Sequence, residues 1–151
     1  MKVAEFLSPS DTVIDVRAQD KTRLLKELCN RAATTLKLDA ENICAEILKR
    51  EQLGSTAMGG GVAIPHARIE HLAKPFGLLA RLRKPIEFDA IDGQPVDIVF
   101  LLLLPASAPT GQLGALATVA RRLRDPLTVR ELRRAADNAS VYAAFVAHHN
   151  A

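Results

Sequence analysis

Apolar positions along the chain change period several times, and each change marks an element. Residues 12–16 alternate and predict a first strand. After Asp20, a side chain suited to cap a helix, Leu24, Leu25, Leu28, Ala32 and Leu36 recur at helical spacing. Asp39 opens a second helix, with Ile43, Ile47 and Leu48 inward and Lys49, Arg50 and Glu51 at its end. A glycine-rich stretch from Gly54 to Gly61 then runs into Val62-Ala63-Ile64, a short apolar strand. Pro65 has no N–H for a strand ladder, so the strand is expected to stop there and leave His66 at its exit.

The second half continues in the same manner. Residues 76–83 predict a strand, residues 85–88 a short edge piece, and Asp92-Gly93 a turn. Residues 96–104 are nearly all apolar, as in a strand buried on both faces, so they are the expected centre of the sheet, ended by Pro105. Residues 110–124 carry Leu113, Leu116, Ala117, Ala120 and Leu123 on one helical face. Asp125-Pro126 starts the next helix, and Thr128 to Glu131 also fits a capping box. The last helix, after residues 137–140, carries Val141, Tyr142, Phe145 and Val146. The predicted class is α/β: a single domain, residues 1–151, with a central mixed β-sheet flanked by helices on both faces.

Composition changes this picture little. The chain has 151 residues, of which 48% are hydrophobic and 25% charged, ordinary for a globular protein. A net charge of +3 does not call for a nucleic-acid partner, and the longest apolar run is too short to span a bilayer. No secretory leader is visible, because residues 1–5 turn polar at once. Cys29 and Cys44 are isolated in apolar-periodic segments, which fits a cytoplasmic protein with reduced thiols better than a disulfide framework.

The candidate chemistry lies between Arg50 and Arg68. The glycine loop lacks the lysine and hydroxyl of a phosphate-binding Walker loop and the third glycine of a dinucleotide fingerprint, so neither ATP nor NAD is expected at it. A neutral imidazole at His66 is a good nitrogen nucleophile near pH 7. Phosphoryl transfer onto it needs positioning and charge stabilisation of three equatorial oxygens. Amides of the loop, with Gly61 at its end, the hydroxyls of Ser55 and Thr56, and the guanidinium of Arg50 or Arg68 are the expected donors.

Leu48-Lys49-Arg50-Glu51-Gln52-Leu53-Gly54-Ser55-Thr56, followed by Gly61-Val62-Ala63-Ile64-Pro65-His66, resembles the signature of phosphotransferase-system enzyme IIA domains of the fructose/mannitol type. The run from Pro85 to Asp97, Leu102-Leu103-Leu104-Pro105 and Val119-Ala120-Arg121-Arg122-Leu123 resemble the nitrogen-regulatory branch, enzyme IIA-Ntr. The similarity covers most of the chain. It implies a phosphotransferase in which His66 accepts a phosphoryl group from an HPr/NPr-type phosphohistidine protein. The implied output is regulatory, through binding of target proteins such as sensor kinases or potassium transporters. Arg50, Ser55 and Thr56 fall on family positions that line the site. Three positions depart from the pattern: Ala67 stands for the usual glycine, Ala57 follows Ser55-Thr56 where glycine is common, and Gln112 occupies the place of a second histidine. Gln112 can donate a hydrogen bond to a phosphoryl oxygen but carries no positive charge.

Two other readings stay open on these residues: a binding module that keeps the fold without phosphoryl traffic, and a sugar-specific IIA subunit that passes phosphate to a separate IIB protein. No cofactor, metal, nucleic acid or membrane insertion is expected. His71 has Glu70 beside it but no further ligands at metal spacing, and the arginines at 121, 122, 124, 130, 133 and 134 read as a solvated or protein-binding face.

Overall fold

A strand covered by apolar layers on both sides must be apolar at every position, because successive side chains point to opposite faces. β6 (Val96–Pro105) meets that condition from Ile98 to Leu104, with Asp97 the one charged position near its start. Val99, Leu101 and Leu103 join one buried cluster, while Ile98, Phe100, Leu102 and Leu104 join another. The computed structural model describes residues 2–107 and 113–147, and β6 is the middle of its six-stranded mixed sheet. β5 (Phe76–Ile86) runs antiparallel to it on one side, with β1 (Thr12–Val16) parallel outside β5. On the other side β3 (Val62–Ala63) and β4 (His66–Ile69) both pair parallel with β6, and β2 (Ala57–Gly59) pairs antiparallel with β3.

Helices α1 (Lys21–Leu36) and α2 (Ala40–Gln52) cover one face. The other face carries α3 (Leu113–Arg124), α4 (Pro126–Arg134) and α5 (Asn138–Val146), together with the N-terminal segment that contributes Val3, Phe6 and Leu7. This is the α/β architecture expected from the sequence.

Local chemistry sets the helix ends. Asp20 accepts the Arg23 N–H at 2.8 Å, Asp39 that of Glu41 at 3.2 Å, Asp125 that of Leu127 at 3.0 Å and Asp137 that of Ser140 at 2.8 Å. The capping box expected at Thr128 is not formed. Proline at the first position fixes the start of α4 earlier, and Thr128 is buried inside it with its hydroxyl donating to Asp125 Oδ2 at 3.2 Å. Two arginines close C-terminal ends, where carbonyls lack intrahelical partners. Arg81 Nη1 donates to the carbonyls of Leu132 at 2.8 Å and Ala135 at 2.6 Å, and Arg122 Nη1 to those of Phe145 at 2.8 Å and Ala147. α1 ends on Lys37 in the left-handed region, φ 57°, and the next amide, Leu38 N–H, reaches the Ala33 carbonyl at 3.2 Å.

Two strand boundaries differ from expectation, and a third strand keeps its expected bounds but is bulged. β5 continues through Pro85 to Ile86, absorbing the separate edge piece; its register on β6 shifts between Arg81 and Ile86, and proline is tolerated in that irregular stretch. Phe88 lies beyond the strand and is fully buried. β6 includes Pro105 as its last residue. β1 contains a bulge: exposed Asp15 has φ 56°, and the register on β5 slips between Val13 and Val16.

Candidate functional site

His66 does not leave a strand; it opens one. Val62 pairs with Ile98, Ala63 with Val99 and His66 with Leu102, so one parallel register is kept across the interruption at Ile64-Pro65. Pro65 breaks little there. Its carbonyl still accepts the Leu102 N–H at 2.9 Å, and β4 pairs only with β6, so the missing N–H falls on an edge. Ile64 N–H donates to the Thr56 carbonyl at 3.1 Å, and the Ile64 carbonyl lies 2.8 Å from His66 Nδ1.

A carbonyl oxygen can only accept, so His66 Nδ1 carries the proton of that contact. In the neutral ring the lone pair is then on Nε2. The half-buried imidazole lines an open cavity of about 350 Å³. α2 contributes Glu46, Lys49, Arg50 and Leu53 to the walls, β4 adds Ala67 and Arg68, and Leu104 and Leu116 supply apolar surface. Three cations therefore share the cavity with one carboxylate. Arg50 is steadied by its own chain, with Nη1 donating to the Gly54 carbonyl at 3.0 Å.

The other sequence candidates are placed elsewhere. Ser55 Oγ donates to the Phe88 carbonyl at 2.6 Å and accepts the Ala57 N–H at 3.1 Å. Thr56 is buried, with its hydroxyl on Glu51 Oε1 and its N–H on Glu51 Oε2 at 3.2 Å. Neither residue lines the His66 cavity. They fasten the chain between α2 and β2 instead. Gln112 lies outside the described residues.

Sequence reasoning missed Glu51 as the centre of this fastening. Its side chain is only 5% exposed, and Lys21 Nζ sits 2.9 Å from Oε2. The same ammonium lies 4.6 Å from the Phe88 ring centroid and donates to the Phe88 carbonyl at 3.3 Å. The signal was present: an acid in the last turn of a helix opposes the helix dipole, which points to a specific partner.

The glycines also serve a different place from the one expected. Gly61 has φ 82°, and a Cβ there would come within 2.5 Å of Arg133 Nη2. The positive φ favours glycine here, and its bare Cα lets the chain pass close to the pair formed by Arg133 and Asp97, whose nitrogen and oxygen are 2.9 Å apart. Gly60 N–H donates to Asp92 Oδ2 at 2.9 Å; this bond, with the Gln94 N–H, holds the Asp92 carboxyl below the usual carboxylate range. Gly59 and Gly60 line a second cavity, not that of His66. His71 is exposed at a left-handed position, φ 68°. Cys29 is buried and Cys44 half-buried, both as free thiols; burial, then the neighbouring Cys44, pushes the Cys29 thiol up to about 12.

Residues 5–147 match the family model described as phosphoenolpyruvate-dependent sugar phosphotransferase system, EIIA 2. A nitrogen regulatory protein of Bradyrhizobium diazoefficiens is 42% identical over 142 residues, covering 94% of this chain and 93% of that protein. The crystal structure of nitrogen regulatory protein IIA-Ntr from Neisseria meningitidis superposes with a TM-score of 0.89 at 32% identity, covering 95% of this chain and 98% of that one. The IIA mannitol structure from Escherichia coli shares the fold, with a TM-score of 0.76 at 14% identity over 93% of this chain and 99% of that one.

Proposed function

The chain belongs to the EIIA 2 family of the phosphotransferase system, among proteins named nitrogen regulatory protein, and on that premise we propose that it is a phosphocarrier that accepts a phosphoryl group on Nε2 of His66. The donor is an HPr/NPr-type phosphohistidine protein. The observation that carries this reading is the 2.8 Å contact of His66 Nδ1 with the Ile64 carbonyl, which commits one ring nitrogen and leaves the other as nucleophile.

The step balances within two imidazoles. The Nε2 lone pair forms the new N–P bond as the donor's N–P bond breaks, and that bonding pair returns to the donor ring. His66 keeps its Nδ1 proton, so the phosphorylated ring gains positive charge that the Ile64 carbonyl stabilises. Arg50, Lys49 and Arg68 attract the oxygens of the transferred group, and Glu46 opposes part of that attraction. The donor bond is already activated, so this chain supplies positioning and charge, with no metal or nucleotide in the step. The output is regulatory: in a cytoplasmic setting, the phosphorylation state of His66 alters binding to target proteins of the sensor-kinase or potassium-transporter kind. No helix among the described residues is long and apolar enough to cross a membrane.

The test is incubation with phosphoenolpyruvate and the upstream carriers. An acid-labile, base-stable phosphate is expected on the protein and absent from His66→Ala. Arg50→Ala should still be labelled, at least about tenfold more slowly, as expected for loss of a charge-assisted contact to the transferred group. Inertness of the wild-type chain with matched carriers overturns the proposal. Onward transfer to a separate IIB domain would move the chain to the sugar-specific branch.

A further inference from the structure

The six late arginines do not form one face. Arg122 closes the end of α5, and Arg133 pairs with Asp97 and donates to the Gly60 carbonyl at 2.7 Å. Arg124, Arg130 and Arg134 behave differently. Among the described residues they have no ion pair or hydrogen bond, and all three are exposed around one cavity with Arg133. Of the acids around them, Asp97 is engaged with Arg133, Asp92 with the Gly60 N–H and Asp125 in capping α4, while Glu131 is next to Arg130 in the chain.

This cavity is larger than that of His66, about 620 Å³ against about 350 Å³. Its floor is apolar, built from Met58, Val62, Leu123 and Val129. The two cavities stand at different points of the same elements. Val62 and His66 pair with β6 four positions apart, and Leu116 and Leu123 are seven residues apart on α3, so each separation is on the order of 10 Å.

We propose that the cavity between the glycine loop and α4 binds a small organic polyphosphate, of the nucleoside-polyphosphate class. Clustered unpaired guanidiniums repel one another until an anion is placed among them, and their planar forks suit phosphate oxygens. Three of them match a ligand with several negative charges. The apolar floor selects against a bare inorganic ion and accepts a flat organic body on which a guanidinium can also stack. The volume suits a ligand of nucleotide size. This is not phosphate binding by loop amides: the Gly60 N–H is already given to Asp92, and the arginine side chains do the binding. The site is independent of phosphoryl transfer at His66.

Isothermal titration calorimetry with ATP, at low ionic strength, tests the assignment, with inorganic pyrophosphate as the arm that carries charge alone. Expected is saturable 1:1 binding of ATP in the micromolar range, weakening with added salt, and pyrophosphate weaker by at least about tenfold. The double variant Arg130→Ala/Arg134→Ala should lose at least about tenfold in ATP affinity, and His66→Ala none. Both arginines are exposed, so an unchanged circular dichroism spectrum is expected to accompany that loss. Amide shifts on titration should centre on Gly60 and Val129, not on Ala67. Absence of saturation up to millimolar ATP overturns the proposal, as does undiminished binding by the double variant. Pyrophosphate binding as tightly as ATP overturns it too, because the apolar floor would then contribute nothing.

Discussion

Glu51 shows how much one side chain outside the reacting group can decide. Its carboxylate holds Lys21, the Thr56 amide and the Thr56 hydroxyl at once, and it is almost fully buried. Breaking a buried pair leaves the other charge without compensation, which costs far more than losing a surface bridge. Glu51→Gln keeps the shape and removes the charge, so it should lower unfolding stability by about 3 kcal/mol in urea titration. An unchanged midpoint would mean that water already screens Lys21. Because Thr56 accepts the Ile64 N–H, and Ile64 in turn holds His66, the variant should also slow labelling of His66. That His66 shares a cavity with Arg50 and Arg68 was legible in the sequence from its neighbours. The roles of Ser55, Thr56 and Gly61 were not, because a hydroxyl or a glycine near a candidate nucleophile reads the same whether it faces the ligand or ties down the backbone.

At the scale of elements, the helices were the easier part. Aspartates 20, 39 and 125 announce starts that the structure confirms, since an Ncap carboxylate answers a need local to one turn. Ends are less legible when a distant arginine closes them, as Arg81 does for α4. Strand limits were harder for the same reason: the ladder partner is remote in sequence. Pro65 and Pro105 read as stops, yet one sits at an edge within a continuing register and the other is the last residue of β6. Lys37 offers a test at this scale. A lysine in the left-handed region carries a steric cost that glycine avoids. Lys37→Gly should therefore stabilise the protein by roughly 0.5–1 kcal/mol, read as a higher thermal midpoint. A lower midpoint would show that the lysine side chain contributes contacts outweighing its strain.

The whole molecule is two apolar layers separated by one sheet, and the layers are closed differently. α1 and α2 pack as a pair, whereas the opposite layer also needs the N-terminal segment. Phe6 meets Phe100 edge to face at 6.3 Å, and its carbonyl accepts the Gly77 N–H at 2.7 Å. A Cβ on Gly77 would lie 2.6 Å from the Phe100 ring, so the strand, the ring and the leading segment are fitted together. Removing residues 1–7 would take Val3, Phe6 and Leu7 from the core, each worth about 1.5–3 kcal/mol of burial. That loss is comparable with the total stability of a typical domain. The truncated protein should bind a hydrophobic dye and lose its cooperative melt; a sharp melt within a few degrees of wild type would show that the layer closes without the segment.

The bulge at Asp15 bears on how copies of the molecule behave in a crowded solution. A sheet that ends on a flat, uncharged strand invites another sheet to add on, and fibres begin that way. β1 is five residues long, is kinked where Asp15 adopts φ 56°, and carries that carboxylate outward. A neighbour seeking to extend the ladder would meet a twist out of plane and a charge to desolvate, so the outer strand beside β5 resists stacking at concentrations where a straighter one would aggregate.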